Sequence, residues 1–237
     1  MARGEGQRRA LTVVGGTRGE LVRYASLVPE GASSVLVLGA GDGRLGEELV
    51  RRGATVTAVD PSPRMVERAE EARASLPGEA QARLVVFRAD LRSLRLPQRF
   101  SAVFAPRNAV ALVASRSDLE SLFVTAREHL ATGAPFAFDL SLSPPRWLTP
   151  DDVDPHEGLQ PERAVFTPHL RGRRGGHGDQ GIHRLLLRHF TAREVDHALA
   201  AAGLEPLTRD KDFEGRPWQL GADRMVVVAQ AASAPVA

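Results

Sequence analysis

From Ser33 onward, short apolar runs rich in valine alternate with longer amphipathic stretches, the pattern of buried parallel strands joined by crossover helices. Strands are predicted over Ser34 to Leu38, Thr55 to Val59, Leu84 to Arg88, Phe100 to Phe104 and Pro135 to Asp139. Helices are predicted over Gly43 to Arg52, Pro63 to Ser75 and Ser117 to Leu130. The last carries Asp118 and Glu120 in its first turn, where they complement the helix dipole, and Gly133 just past its end. Alternation in this order predicts an α/β fold with a right-handed, doubly wound sheet.

After Asp139 the rhythm breaks. Ser143-Pro144-Pro145 and Thr149-Pro150 interrupt it, and two β-like stretches, Arg163 to Leu170 and Ile182 to Phe190, then flank a glycine- and arginine-rich loop, Arg171 to Gly178. These stretches predict an antiparallel hairpin insert. Thr191 to Ala202, capped by Thr191 and ended by Gly203, restores a helix, and Met225 to Ala229 adds a buried strand. The chain therefore divides into an N-terminal segment (1–32), an α/β core (33–140), a lid or hairpin insert (141–190) and a helix and strands that complete the core (191–230). The first nine residues and the tail from Ala231 read as loose ends.

At 237 residues, 43% of them apolar, the chain suffices for one large domain with a proper core. With no cysteine it can form no disulfide framework, iron-sulfur cluster or thiol nucleophile, and a cytoplasmic location is the expectation. The apolar run Leu11 to Val14 stops at Gly15-Gly16, so neither secretion nor membrane spanning is expected. The isoelectric point of 9.8 coexists with a formal charge of only +2. Its cause is side-chain identity: Lys211 is the one lysine, and every other basic residue is arginine.

The strongest local signal is Val35-Leu36-Val37-Leu38-Gly39-Ala40-Gly41-Asp42-Gly43, an apolar strand running into a glycine turn at a helix start. Glycines there let backbone approach a ligand, and the helix start offers unpaired N–H groups. A dinucleotide fold wants glycine at the last position of G-x-G-x-x-G, where this chain has Arg44. Asp42 inside the loop would repel a pyrophosphate but suits a ligand bearing an ammonium and a sulfonium. S-adenosylmethionine is such a ligand. Asp60 ends the second strand, placed to accept hydrogen bonds from both ribose hydroxyls, and Asp90 ends the third, within reach of an adenine amino group.

With these residues in place, the chain resembles the class I S-adenosylmethionine-dependent methyltransferases, from Ser33 to Asp139 and again over the closing helix and strand. The resemblance implies a Rossmann-like seven-stranded sheet with its last strand antiparallel. It also implies that Gly39, Ala40, Gly41 and Asp42 line the methionine end, with Asp60 on the ribose and Pro61, Ser62 and Met65 beside it. Asp90 and Leu91 would hold the adenine, and the turn at Ala105 and Pro106 would lie under the sulfur. The segment Asp210 to Gly215 is similar to small-molecule methyltransferases of bacterial type. One departure stands out: Val37 occupies a position where the family usually has an acidic residue.

The expected activity is methyl transfer to oxygen or nitrogen of a small metabolite. Displacement at an activated sulfonium is helped mainly by alignment and a dry site. The Asn-Pro-Pro-aromatic signature of exocyclic amine methylation is absent; the segment reads Ala105-Pro106-Arg107-Asn108. A general base, where one is used, would come from the insert, with His169 as the first candidate over His156, His177 and His183. Tyr24, the one tyrosine, is a second candidate, packing over the cofactor from the N-terminal segment, with core or surface packing as the alternative. The acidic run Asp151 to Glu157 reads as a helix start rather than a metal site, so no metal is expected. Seven arginines between Glu162 and Arg193 give that insert a local charge of +5. With only Phe166 and Phe190 interleaved, they favour a solvated hairpin or a site for a small anion over nucleic acid. A non-catalytic binder of S-adenosylmethionine or S-adenosylhomocysteine and an RNA methyltransferase remain the alternatives.

Overall fold

The computed structural model describes residues 18–31, 33–142, 163–166 and 185–233, and for 163–166 and 185–187 the backbone alone. A first helix, α1 (Arg18–Ser26), leads into β1 (Ser34–Leu38), α2 (Arg44–Arg51), β2 (Thr55–Asp60), α3 (Pro63–Ala74), α4 (Gly78–Ala82) and β3 (Leu84–Arg88). Then come β4 (Ala102–Ala105), a 3-10 turn (Ala109–Leu112), α5 (Arg116–His129) and β5 (Phe136–Ser141). The chain continues through β6 (Arg163–Phe166), β7 (Leu185–Arg188), α6 (Ala192–Ala201), β8 (Leu204–Asp210) and β9 (Arg224–Ala231). Seven strands form one sheet in the order β3-β2-β1-β4-β5-β9-β8, while β6 and β7 pair as a separate antiparallel ribbon. β9 runs antiparallel to both its neighbours; β1 to β5 pair in parallel.

Strand alternation explains why two cores form. Leu36 and Leu38 of β1, Val103 and Ala105 of β4, and Phe136, Phe138 and Leu140 of β5 enter the core under α5 and α6. There α5 lays Leu119, Leu122, Phe123 and Ala126 against them, and Phe123 stacks 5.0 Å from Phe138 and 5.5 Å from Phe136. Each such phenylalanine stabilises the fold by about 1.5 to 3 kcal/mol through burial. The opposite face carries Val35, Val37, Ala102, Phe104 and Ala137 against α1 and α2, with Tyr24 at its centre.

The predicted strand over Ser34 to Leu38 and that over Leu84 to Arg88 coincide with β1 and β3; the fourth and fifth lie one to two residues further along than predicted. The hydrophobic pattern missed β8. Its burial profile is exposed through Pro206, Leu207 and Thr208, as suits an edge strand. No helix among the described residues is long and apolar enough to cross a membrane.

Candidate functional site

The strand order reverses between β1 and β4, which leave side by side and send their following segments to opposite faces of the sheet. A crevice opens outside their carboxyl ends, the position where open α/β sheets place ligands. Its walls are the turn after β1, the end of β2, and the turn after β4.

The turn after β1 is bare of side chains for a steric reason. Gly39 has φ of 81°, and a Cβ built there would lie 2.6 Å from the Ala109 Cβ, so no larger residue fits without displacing the 3-10 turn. Its N–H and that of Ala40 both donate to the Val59 carbonyl, at 2.8 and 2.9 Å, tying the turn to β2. Gly43 caps α2 in the left-handed region, with no side-chain hydrogen bond to the helix start.

Asp60 closes the crevice from the β2 side. It is 5% exposed; Oδ2 accepts the Gly41 N–H at 2.9 Å and Oδ1 the Ser62 N–H at 2.9 Å. Burial pushes its carboxyl above the usual range, and the two N–H groups and the charge of Arg107 oppose that rise. A carboxylate has about four acceptor positions, so two remain for ligand hydroxyls.

In the turn after β4 the resemblance points to Ala105 and Pro106 but assigns nothing to Arg107 and Asn108, which follow them. Arg107 and Asn108 have φ of 58° and 61°, successive left-handed residues, a conformation costing about 1 to 2 kcal/mol for a residue with a Cβ. Asp139 on β5 holds them there: Oδ1 accepts the Arg107 N–H at 2.6 Å and Oδ2 the Asn108 N–H at 3.1 Å. The Asn108 side chain accepts the Ser141 N–H at 3.0 Å. So held, Arg107 sends its guanidinium across the glycine turn: Nη1 lies 3.1 Å from where a Gly41 Cβ would stand, and it is ion-paired to Asp42. Asp139 is buried, which raises its pKa; the charge of Arg224, the Tyr24 hydroxyl and the two N–H groups oppose the shift.

A family model described as a methyltransferase domain matches residues 35–133, the stretch from β1 to the end of α5. Residues 35–133 are a class I S-adenosylmethionine-dependent methyltransferase domain. Solved structures extend the likeness over both cores. The CcbJ methyltransferase from Streptomyces caelestis is 26% identical, with 91% of this chain and 89% of that chain covered at a TM-score of 0.72. The glycopeptide N-methyltransferase MtfA, in complex with S-adenosyl-L-methionine, is 20% identical over 90% and 92% at a TM-score of 0.62. CalS10, an amino pentose methyltransferase from Micromonospora echinaspora, is 21% identical over 94% and 96% at a TM-score of 0.57. Among curated proteins, none matches by sequence.

The crevice of the methyltransferase suits its cofactor: a main-chain turn that a Cβ would fill, and a buried carboxylate with acceptor positions to spare. Gly39, Ala40, Gly41, Asp42, Asp60, Ala105 and Pro106 come together there. Leu91 joins them, its Cδ1 3.7 Å from the built Gly39 Cβ. Ser62 caps α3 next to Asp60, half-buried Met65 follows in the first turn, and Pro61 is exposed. Asp90 is turned outward: both its oxygens are engaged by Arg92, which also bridges to Asp118. That pairing holds its carboxyl below the usual range.

Tyr24 corrects an expectation. It is fully buried, its ring 5.2 Å from Phe104 and its hydroxyl donating to Asp139 Oδ1 at 2.8 Å, so it supports the β4 turn from beneath and does not pack over a ligand. Burial and the Asp139 charge hold its phenol well above its ordinary pKa, keeping it a donor. His169, His156, His177, His183 and the run Asp151 to Glu157 lie outside the described residues. The sequence reading passed over His189, which follows β7. Its two ring nitrogens are buried, and burial lowers its pKa, opposed by a contact to the Ser141 backbone. Among the described residues no group of three or more acidic and histidine side chains could hold a metal.

Proposed function

We propose that this methyltransferase acts on an oxygen or nitrogen of a small metabolite, using the crevice between the β1 and β4 turns as its donor site. The observation that carries the reading is the juxtaposition of a turn closed to side chains at Gly39 with the buried carboxylate of Asp60. S-adenosylmethionine, when bound, supplies a methyl group on a positively charged sulfur. The chain's part is to bind, align and exclude water. Asp60 would accept ribose hydroxyls while keeping the Gly41 and Ser62 N–H groups. Ala105, Ala109 and Leu91, each at most 3% exposed, form an apolar wall beside the turn.

A small acceptor is supported by the similar structures, among them a glycopeptide N-methyltransferase and an amino pentose methyltransferase. Two tests apply. In calorimetry, Asp60→Ala is expected to weaken S-adenosylhomocysteine binding by about tenfold or more, the loss of a charge-assisted hydrogen bond. An unchanged dissociation constant removes the ribose assignment. With S-adenosylmethionine present, release of S-adenosylhomocysteine is expected on a panel of amino sugars, phenols and small amines. Turnover confined to RNA, with strongly salt-dependent retention on it, would overturn the small-molecule reading.

A further inference from the structure

Helix α1 is nine residues long, and isolated helices below about 12 to 15 residues are marginal in water. It keeps its shape only while the rest of the molecule holds it. Tyr24 and Ala25 enter the second core, and Leu21, with Leu27 and Val28 just past the helix end, packs at its margin. Two polar contacts add to this, both reaching far along the chain. Arg23 Nη2 donates to Asp210 Oδ2 at 2.8 Å, at the end of β8, and the Tyr24 hydroxyl donates to Asp139 Oδ1 at 2.8 Å on β5. The Phe213 ring lies 6.3 Å from that of Tyr24 and carries the Arg224 guanidinium 5.0 Å above its own centre, so the β8 and β9 side of the sheet closes around the same tyrosine.

Tyr24 shares its acceptor with the crevice. The Asp139 oxygen that takes its hydroxyl also takes the Arg107 N–H, and the other takes that of Asn108. These are the left-handed residues of the β4 turn, directly after Ala105 and Pro106 at the crevice wall. We propose that Arg23 and Tyr24 are positioning residues for that crevice, so that docking of α1 and occupation of the crevice are linked. The physical reason is competition for Asp139. With α1 docked, the carboxylate is buried and its hydrogen bonds hold the turn in a conformation that persists only where its surroundings over-determine it. With α1 undocked, the place of a fully buried tyrosine opens to water, and the two N–H groups must compete with solvent for the same oxygens. Arg23 works at one remove: its pair with Asp210 keeps α1 against the end of β8 and Tyr24 in its seat. A ligand that needs the turn as held favours docked α1, and docking favours the ligand to the same extent. The linkage rests on the donor site proposed above, with S-adenosylhomocysteine as the ligand that reads it out.

Calorimetry with S-adenosylhomocysteine and amide hydrogen exchange over residues 18–28 test the linkage in the full chain. Arg23→Gln and Tyr24→Phe are each expected to weaken binding by about fivefold or more, the lower end of ordinary coupling between sites. Added to Tyr24→Phe, Arg23→Gln should weaken it no further, because Arg23 acts through the seated hydroxyl. His129→Asn is the control for lost stability: it cuts a buried hydrogen bond to the Leu96 N–H near the amino end of β4 and should leave affinity within about twofold. In wild type the ligand is expected to slow exchange over residues 18–28 by about fivefold or more, and by less in Tyr24→Phe. Unchanged affinity in both α1 variants, or losses that add in the double variant, would make α1 a passive support and overturn the linkage while leaving the donor site. Equal slowing in wild type and Tyr24→Phe would overturn it too, as would a loss in His129→Asn as large as theirs. A wild type that binds no S-adenosylhomocysteine removes the donor site, and the linkage with it.

Discussion

Asp139 is the residue on which the β4 turn depends. Three donors converge on its carboxylate from two directions, the Tyr24 hydroxyl below and the N–H groups of Arg107 and Asn108 above. Tyr24→Phe tests the lower contact while leaving the ring packed on Phe104. The expected loss is about 1 to 2 kcal/mol, below the full value of a bond to a charged group because Oδ1 keeps the Arg107 N–H. Urea unfolding should show a lower midpoint at unchanged slope; an unmoved midpoint would mean that the hydroxyl contact adds nothing. At this scale the sequence was uneven. Gly39 and Asp60 could be read because their roles follow from a local strand-turn-helix pattern. The Tyr24 and Asp139 pair could not, since it joins positions 115 residues apart and either residue alone reads as ordinary.

Helix α6 shows how far local chemistry fixes an element. Thr191 Oγ1 accepts the Glu194 N–H at 3.2 Å, and Glu194 returns the bond to the Thr191 N–H at 2.9 Å, a complete capping box. Below it Val195, Ala198 and Leu199 turn inward at helical spacing and pack in the core shared with α5. Thr191→Ala is expected to cost about 1 kcal/mol, read as a shift in the denaturation midpoint. No shift would show that packing alone sets this helix start. Sequence predicted α6 to within a residue at each end because cap and periodicity agree. It did not predict α1 or β8. Helix α1 buries only Glu20, Tyr24 and Ala25, too few apolar positions to make a stripe, and β8 is an edge strand whose exposed middle has no alternation.

For the whole molecule, buried titratable groups act in opposite directions on acidification. Asp60 and Asp139 have raised pKa values, so the folded state holds their protons more tightly than the unfolded chain. As pH falls through the window above the usual carboxyl range, these two groups add stability. His189 has a lowered pKa: the unfolded chain takes its proton first, near 6.5, and stability is lost as pH drops below that value. His189→Gln removes the destabilising contribution alone, so the shift of the urea midpoint from pH 8 to pH 5.5 is expected to be more favourable in the variant than in wild type. Equal shifts in the two proteins would show that His189 does not contribute to the dependence.

The sequence alone determined the α/β class, the parallel strands around the glycine turn and the carboxylate at the end of β2, because burial periodicity, glycine geometry and charge at strand ends are written in neighbouring residues. Only the tertiary structure decided that Arg107 crosses that glycine loop and that Tyr24 serves as a brace within the core. Those outcomes depend on the reversal of strand order between β1 and β4, and on hydrogen bonds made across it by groups brought together only when the sheet closes.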